Sequence, residues 1–201
     1  MKYTGLCRLY GAFYAGACKK ELKSRFPNGN MPKAVKIEYR NIVLRAKDIG
    51  KSRLLSSYMM GAYFIALNRS TGLSPEDNYK IFKEGLYASR LFHKALGNAD
   101  SYLDVKKMPG RKEWERKSHE RKYENDWVVD VLEKTDAYEL GYDYHECGIC
   151  KLCQDEGCFE WAQYLCRLDF VLADIMDMKL KRTKTLAEGG DCCDFRYSRK
   201  G

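Results

Sequence analysis

Along the first 124 residues apolar side chains recur every three to four positions. That is the period of helices with one face against a core. The spacing predicts a first helix over residues 6–26, stopped by Pro27-Asn28-Gly29-Asn30, and a second over 34–49, ending near Gly50. A third helix is expected over 53–69, rich in Leu, Met, Tyr and Phe. Ser74-Pro75-Glu76-Asp77 reads as a helix start, with Ser as N-cap, Pro in the first position and acids in the first turn. This fourth helix should run to about Leu96, before Gly97-Asn98, and the basic run after Pro109-Gly110 suggests a fifth.

Near residue 125 the period shortens to two. Trp127-Val128-Val129-Asp130-Val131-Leu132 reads as a strand, and Leu140 to His145 as a second after a turn around Thr135-Asp136-Ala137. Residues 147–157 are expected to be a loop or short turn region. Residues 159–176 look helical, with Trp161, Leu165, Leu168, Leu172 and Ile175 on one face. A third strand is expected over 180–186, a hairpin turn at Gly189-Gly190-Asp191 and a fourth strand over 193–197. The prediction is an α+β fold in a single domain of 201 residues. Residues 1–124 are mostly helical and 125–201 form a hairpin–helix–hairpin, so that the N-terminal helices pack on a four-stranded antiparallel sheet.

Composition narrows the class. Apolar residues make up 45% of the chain and charged residues 32%, the balance of a globular protein rather than a disordered one. The longest uncharged stretch, 54–68, is short of the ~20 residues a bilayer needs and holds Ser56, Ser57 and Asn68, so a buried core helix is expected there and no membrane partner. Ala15-Gly16-Ala17-Cys18 is faintly like a lipoprotein cleavage site, but Arg8 interrupts the apolar run before it, and the cytoplasm is the expected location. Of the net charge of +8, much is local: residues 106–122 carry eight basic side chains against three acidic ones. Such a run can neutralise phosphates. Its alternating acids fit a solvated helix laced with ion pairs better, which disfavours a nucleic-acid partner.

Seven of the nine cysteines lie between Cys147 and Cys193. Cys147, Cys150, Cys153 and Cys158 have ligand-like spacing, with His145 just upstream, so zinc or an iron–sulfur cluster is one reading. The last gap and the Phe159 that follows depart from the ferredoxin run. Thiols packed as small apolar groups are the other reading. Cys166 and Asp169 are three apart on one helix face, which suits a nucleophile and its proton acceptor, or equally a half-buried thiol beside an ion-paired acid. In the C-terminal hairpin, alternation puts Arg182 and Lys184 on one face and Thr183 and Thr185 on the other. It likewise sets Cys193, Phe195 and Tyr197 opposite Asp194 and Arg196. Arg182 or Arg196 can hold a carboxylate bidentately, or pair with Asp169 or Asp194.

The last quarter of the chain resembles the L-2-amino-thiazoline-4-carboxylic acid hydrolase family. The resemblance rests on Cys147 before the helix, Leu165-Cys166-x-x-Asp169-Phe170, Arg182-Thr183-x-Thr185-Leu186 with Gly189, and the ending Cys193-Asp194-Phe195-Arg196-Tyr197. The layout is also similar to vinyl-reductase-type ligand-binding domains and transport-particle subunits, where helices pack on an antiparallel sheet. Cys150, Cys153 and Cys158 are additions to the family pattern. The resemblance implies hydrolytic opening of a 2-aminothiazoline ring to a carbamoyl-cysteine, with a small-molecule substrate and no cofactor. The residues expected to carry it are Cys166, Asp169, Cys147 and Cys193 for the chemistry, and Arg182, Thr183, Thr185 and Arg196 for the substrate. The metal alternative keeps Cys147, Cys150, Cys153 and Cys158 as ligands of a sensor domain. A homo-oligomer is compatible with all of this.

Overall fold

In the computed structural model one helix, α3 (Leu55–Thr71), has no polar face: every residue from Tyr58 to Asn68 is buried. Each large apolar side chain buried there contributes ~1.5–3 kcal/mol relative to exposure. α1 (Gly5–Arg25), α2 (Met31–Arg45) and α4 (Pro75–Ala88) pack around it. The structure describes every residue except Asn28, so that part of the Pro27–Asn30 stop lies outside the described residues. The polar groups that α3 takes inside are satisfied. Asn68 Nδ2 donates to the Phe64 carbonyl at 2.9 Å, Asn78 Nδ2 donates to Asn68 Oδ1 at 3.2 Å, and Thr71 Oγ1 donates to Asn78 Oδ1 at 2.9 Å. Among the described residues no helix is long and apolar enough to cross a membrane.

Ser74 caps α4 as expected, its Oγ accepting from the Asp77 amide at 3.1 Å. The fourth helix does not reach Leu96 unbroken. It ends at Ala88, and α5 (Arg90–Leu96) starts afresh because Ser89 turns extended and accepts from the Phe92 amide at 3.3 Å. α6 (Ala99–Leu103) and α7 (Met108–Ser118) follow. The basic run is internally engaged on α7. Arg116 pairs with Glu113 and Glu120, Lys117 with Glu113, and Lys112 with Glu115. Arg111 is buried and donates to the carbonyls of Asp104 and Tyr102.

The sheet comprises β1 (Val128–Leu132), β2 (Leu140–Glu146), β3 (Met178–Lys181) and β4 (Cys193–Arg199), all antiparallel in the order β1-β2-β4-β3. The α+β architecture therefore agrees with the periodicity. Val129 lies opposite Tyr144 and Val131 opposite Tyr142; across the other edge of β2, Tyr144 faces Cys193 and Tyr142 faces Phe195. One sheet face thus carries Val129, Val131, Tyr142, Tyr144, Cys193, Phe195 and Tyr197, covered by α6, α7 and α9 (Ala162–Ile175). The first four helices form a further layer around α3.

Two segments differ from the sequence reading. Residues 147–157 are not a loop: Gly148–Asp155 is a helix, α8, packed on α3. The third strand ends at Lys181 instead of Leu186. The Thr183 and Lys184 amides donate to Asp194 Oδ1 at 2.9 and 2.8 Å, and Thr185 Oγ1 accepts from the Glu188 amide to cap a 3-10 turn at Leu186–Glu188. These local bonds replace the ladder that alternation predicts.

Candidate active site

β2 runs directly into α8, and Cys147 is the residue at the junction, extended in backbone and occupying the N-cap position. The junction is fastened from several sides. Lys151 Nζ donates to the Glu124 and Asp126 carbonyls at 2.6 and 2.9 Å and to Glu146 Oε2 at 2.5 Å. At the far end of α8 the Glu156 carboxylate, 4% exposed, receives Arg45 and Arg69. Gly148 supplies the close approach. A Cβ there would lie 2.6 Å from both the Asn125 carbonyl oxygen and the Trp127 ring. Gly148→Ala is expected to push the first turn of α8 off this seat, costing ~1–3 kcal/mol in urea unfolding and misplacing Cys147.

Three thiols gather near this junction. Cys147, Cys166 on α9 and Cys193 on β4 are close enough that charge on one opposes ionisation of another, and Asp169 acts on all three. Their surroundings differ. Cys150 and the amides of the first turn of α8 favour the Cys147 thiolate, although its sulfur forms no capping hydrogen bond. Together these hold the Cys147 thiol below its ordinary value, against the effect of burial. Burial and then Asp169 push Cys166 well up, and burial pushes Cys193 up to about 12. The thiolate-favouring surroundings expected at Cys166 are found at Cys147.

Asp169 sits one turn along α9 from Cys166. Burial raises its carboxyl to about 6, in spite of Arg182 beside it. Arg182 Nη1 donates to Asp169 Oδ2 at 2.7 Å and Nη2 to the Cys166 carbonyl at 2.9 Å. Its guanidinium, 6% exposed, lies between the rings of Phe170 and Phe195, at 4.9 and 5.0 Å. Cys147, Cys166, Asp169, Tyr102 and Tyr144 are each half-buried. The phenols of Tyr144 and Tyr197 lie within electrostatic reach of Asp169, and burial keeps both protonated. Neither tyrosine is among the expected site residues, although alternation places Tyr197 on the face of Cys193 and the register adds Tyr144.

Other expected site residues stand elsewhere. Arg196 is on the opposite sheet face, paired with Asp143 at 2.7 Å and lying over Tyr138. Thr183 Oγ1 donates to Asp194 Oδ2 at 2.6 Å, and Thr185 Oγ1 donates to Glu188 Oε2 at 2.7 Å, so both hold the loop that carries Arg182. An open cleft of about 1000 Å³, lined by Arg53, Trp114, Lys117, Tyr123 and Trp127, contains no cysteine. Trp114 also packs on Tyr142 and Tyr144, at 5.9 and 6.3 Å between ring centres, so it separates the cleft from the tyrosine face.

The four-cysteine metal set does not fit. Cys147 and Cys150 stand at the start of α8, and Cys153 and Cys158 near and beyond its end. Among the described residues no three His, Cys, Asp or Glu side chains are grouped to hold a metal ion. Residues 52–197, well over half the chain, match the sequence model described as L-2-amino-thiazoline-4-carboxylic acid hydrolase. The chain belongs to that family. The match takes in α3 to β4 and so contains Cys147, Cys166, Asp169, Arg182 and Cys193, while α1 and α2 precede it. Comparison with curated proteins and with solved structures found no match.

Proposed function

We propose that this chain is a hydrolase that opens a 2-aminothiazoline-4-carboxylate ring to a carbamoyl-cysteine, with Cys147 as nucleophile. The observation that carries the reading is Cys147 at the N-terminus of α8, within electrostatic reach of Asp169, which is paired with Arg182. Family membership supports the substrate class.

The ring carbon between nitrogen and sulfur is amidine-like, and protonation of the nitrogen makes it electrophilic. The Asp169 carboxylate pairs with that amidinium. The Cys147 thiolate adds to the carbon, the ring C–S bond breaks, and the ring sulfur leaves as a thiolate that takes up a proton by way of Asp169. The carbon is then held on Cys147 as an isothiourea. Water adds to it, the Cys147 sulfur departs, and the nitrogen keeps a carbamoyl group. One water is consumed overall. Both Nη groups of Arg182 already donate to protein oxygens, which supports a positioning role on Asp169 in preference to a direct hold on the substrate. Tyr144 and Tyr197 are the assigned donors to the substrate carboxylate. Cys166 and Cys193 stand near Cys147 as neutral thiols.

The test is incubation of the protein with 2-aminothiazoline-4-carboxylate, following release of the ring thiol and trapping the intermediate with acid. Ring opening with a mass adduct on the Cys147 peptide is expected. Failure to open the ring with all thiols reduced would overturn the substrate, and an adduct on another cysteine would overturn the nucleophile.

A further inference from the structure

We propose that Cys147 and Cys150 form a dithiol that a hydroperoxide closes to a disulfide, making the first turn of α8 a redox-modification site. Only the consequence for turnover rests on the ring-opening reading; the disulfide itself does not.

Cys147 is the N-cap of α8 and Cys150 stands one turn in. Residues three apart on a helix bring their Cβ atoms to ~5–6 Å, and a disulfide needs ~3.5–4.5 Å. The gap is closed at the residue best able to move. Cys147 has φ −121° and ψ 117°, outside the helix, so its side chain swings without breaking a helical turn.

Exposure divides the roles. Cys147 is half-buried and keeps accessible surface that a small peroxide can meet, whereas Cys150 is 7% exposed and shielded from direct attack. The first is the thiol that oxidant meets, and the second is the resolving thiol. The other pair of added cysteines is placed differently. Cys153 and Cys158 are 0% and 3% exposed and sit at the closed end of α8.

The step balances with one hydroperoxide. The Cys147 thiolate attacks the O–O bond, the sulfur becomes a sulfenic acid, and the departing alkoxide or hydroxide takes a proton to give an alcohol or water. The Cys150 thiol then attacks the sulfenic sulfur, an S–S bond forms, and water leaves with the Cys150 proton. Two thiols have lost two electrons and the peroxide has gained them. A dithiol reductant reverses the bridge by exchange. While it stands, Cys147 has no free sulfur with which to attack a ring.

The experiment treats the reduced full-length chain with equimolar hydrogen peroxide, alkylates the remaining thiols and maps the bridge by mass spectrometry. The expected result is loss of two hydrogens, a Cys147–Cys150 bridge, and full reversal by dithiothreitol. Cys150→Ser should stop at a sulfenic acid on Cys147 that dimedone traps. A bridge mapped instead to Cys166, Cys193 or the Cys153/Cys158 pair would overturn the proposal. So would nine free thiols after the treatment. Because the readout is mass and not turnover, it is separate from any failure of ring opening. If Cys150→Ser does not fold, the wild-type map alone decides.

Discussion

Cys147→Ser is expected to lower ring opening roughly a thousandfold, a loss of ~4 kcal/mol in transition-state stabilisation, with little change in melting temperature. The reason is local. A serine hydroxyl fits the same space, but at neutral pH it is not ionised, and the amides at the start of α8 then have no anion to favour. Cys166→Ser provides the contrast, with a loss of less than about tenfold. Its thiol is held neutral by burial and by Asp169, so it does not supply the attacking electrons. Steady-state kinetics on both variants, with melting curves as controls, make the comparison. A Cys166→Ser enzyme as dead as Cys147→Ser would return the nucleophile to α9.

Arg182→Gln should move the acid limb of the kcat/KM profile upward by about one to two pH units. In the wild type, burial raises the Asp169 carboxyl to about 6 while Arg182 pulls it down by its charge and its hydrogen bond. Without the guanidinium only the raising effect remains, and the carboxylate forms at higher pH. The limb reports the free enzyme, so the wild-type profile should fall as pH drops through about 6. Arg182→Lys keeps the charge and should move the limb less. Stability runs the other way. Asp169 holds its proton more tightly folded than unfolded, so its contribution favours the fold at acid pH and declines as pH rises from 3.8 toward about 6. A limb indifferent to the charge at position 182 would detach Asp169 from the rate.

Much of this architecture was legible because the periods were clean. The burial of α3, the Ser74 cap, and the face shared by Cys193, Phe195 and Tyr197 all follow from spacing and cap chemistry. α8 was not. Ile149, Leu152 and Cys153 do recur at helical spacing, but reading cysteines as ligands hides them as apolar positions, and a cysteine at the N-cap gives no start signal. The third strand was overextended for a related reason. Thr183 and Thr185 alternate like strand residues, while Asp194 and Glu188 bind them locally. Within the candidate site, Cys166, Asp169 and Arg182 do come together, as their spacing allows. Which thiol meets a helix end depends on tertiary placement.

The helix with no polar side also bears on how the family segment is handled. The matched region opens at residue 52, just before α3, while α1 and α2 lie wholly upstream. A fragment cut at that boundary would keep the sheet, the thiols and the carboxylate, but it would unwrap the flanks of α3 that those two helices cover. Tyr58 to Asn68 would then meet water along those flanks, and such a fragment belongs in inclusion bodies. For the expression of this chain, the matched block and the cover of its apolar helix are encoded in different stretches of sequence.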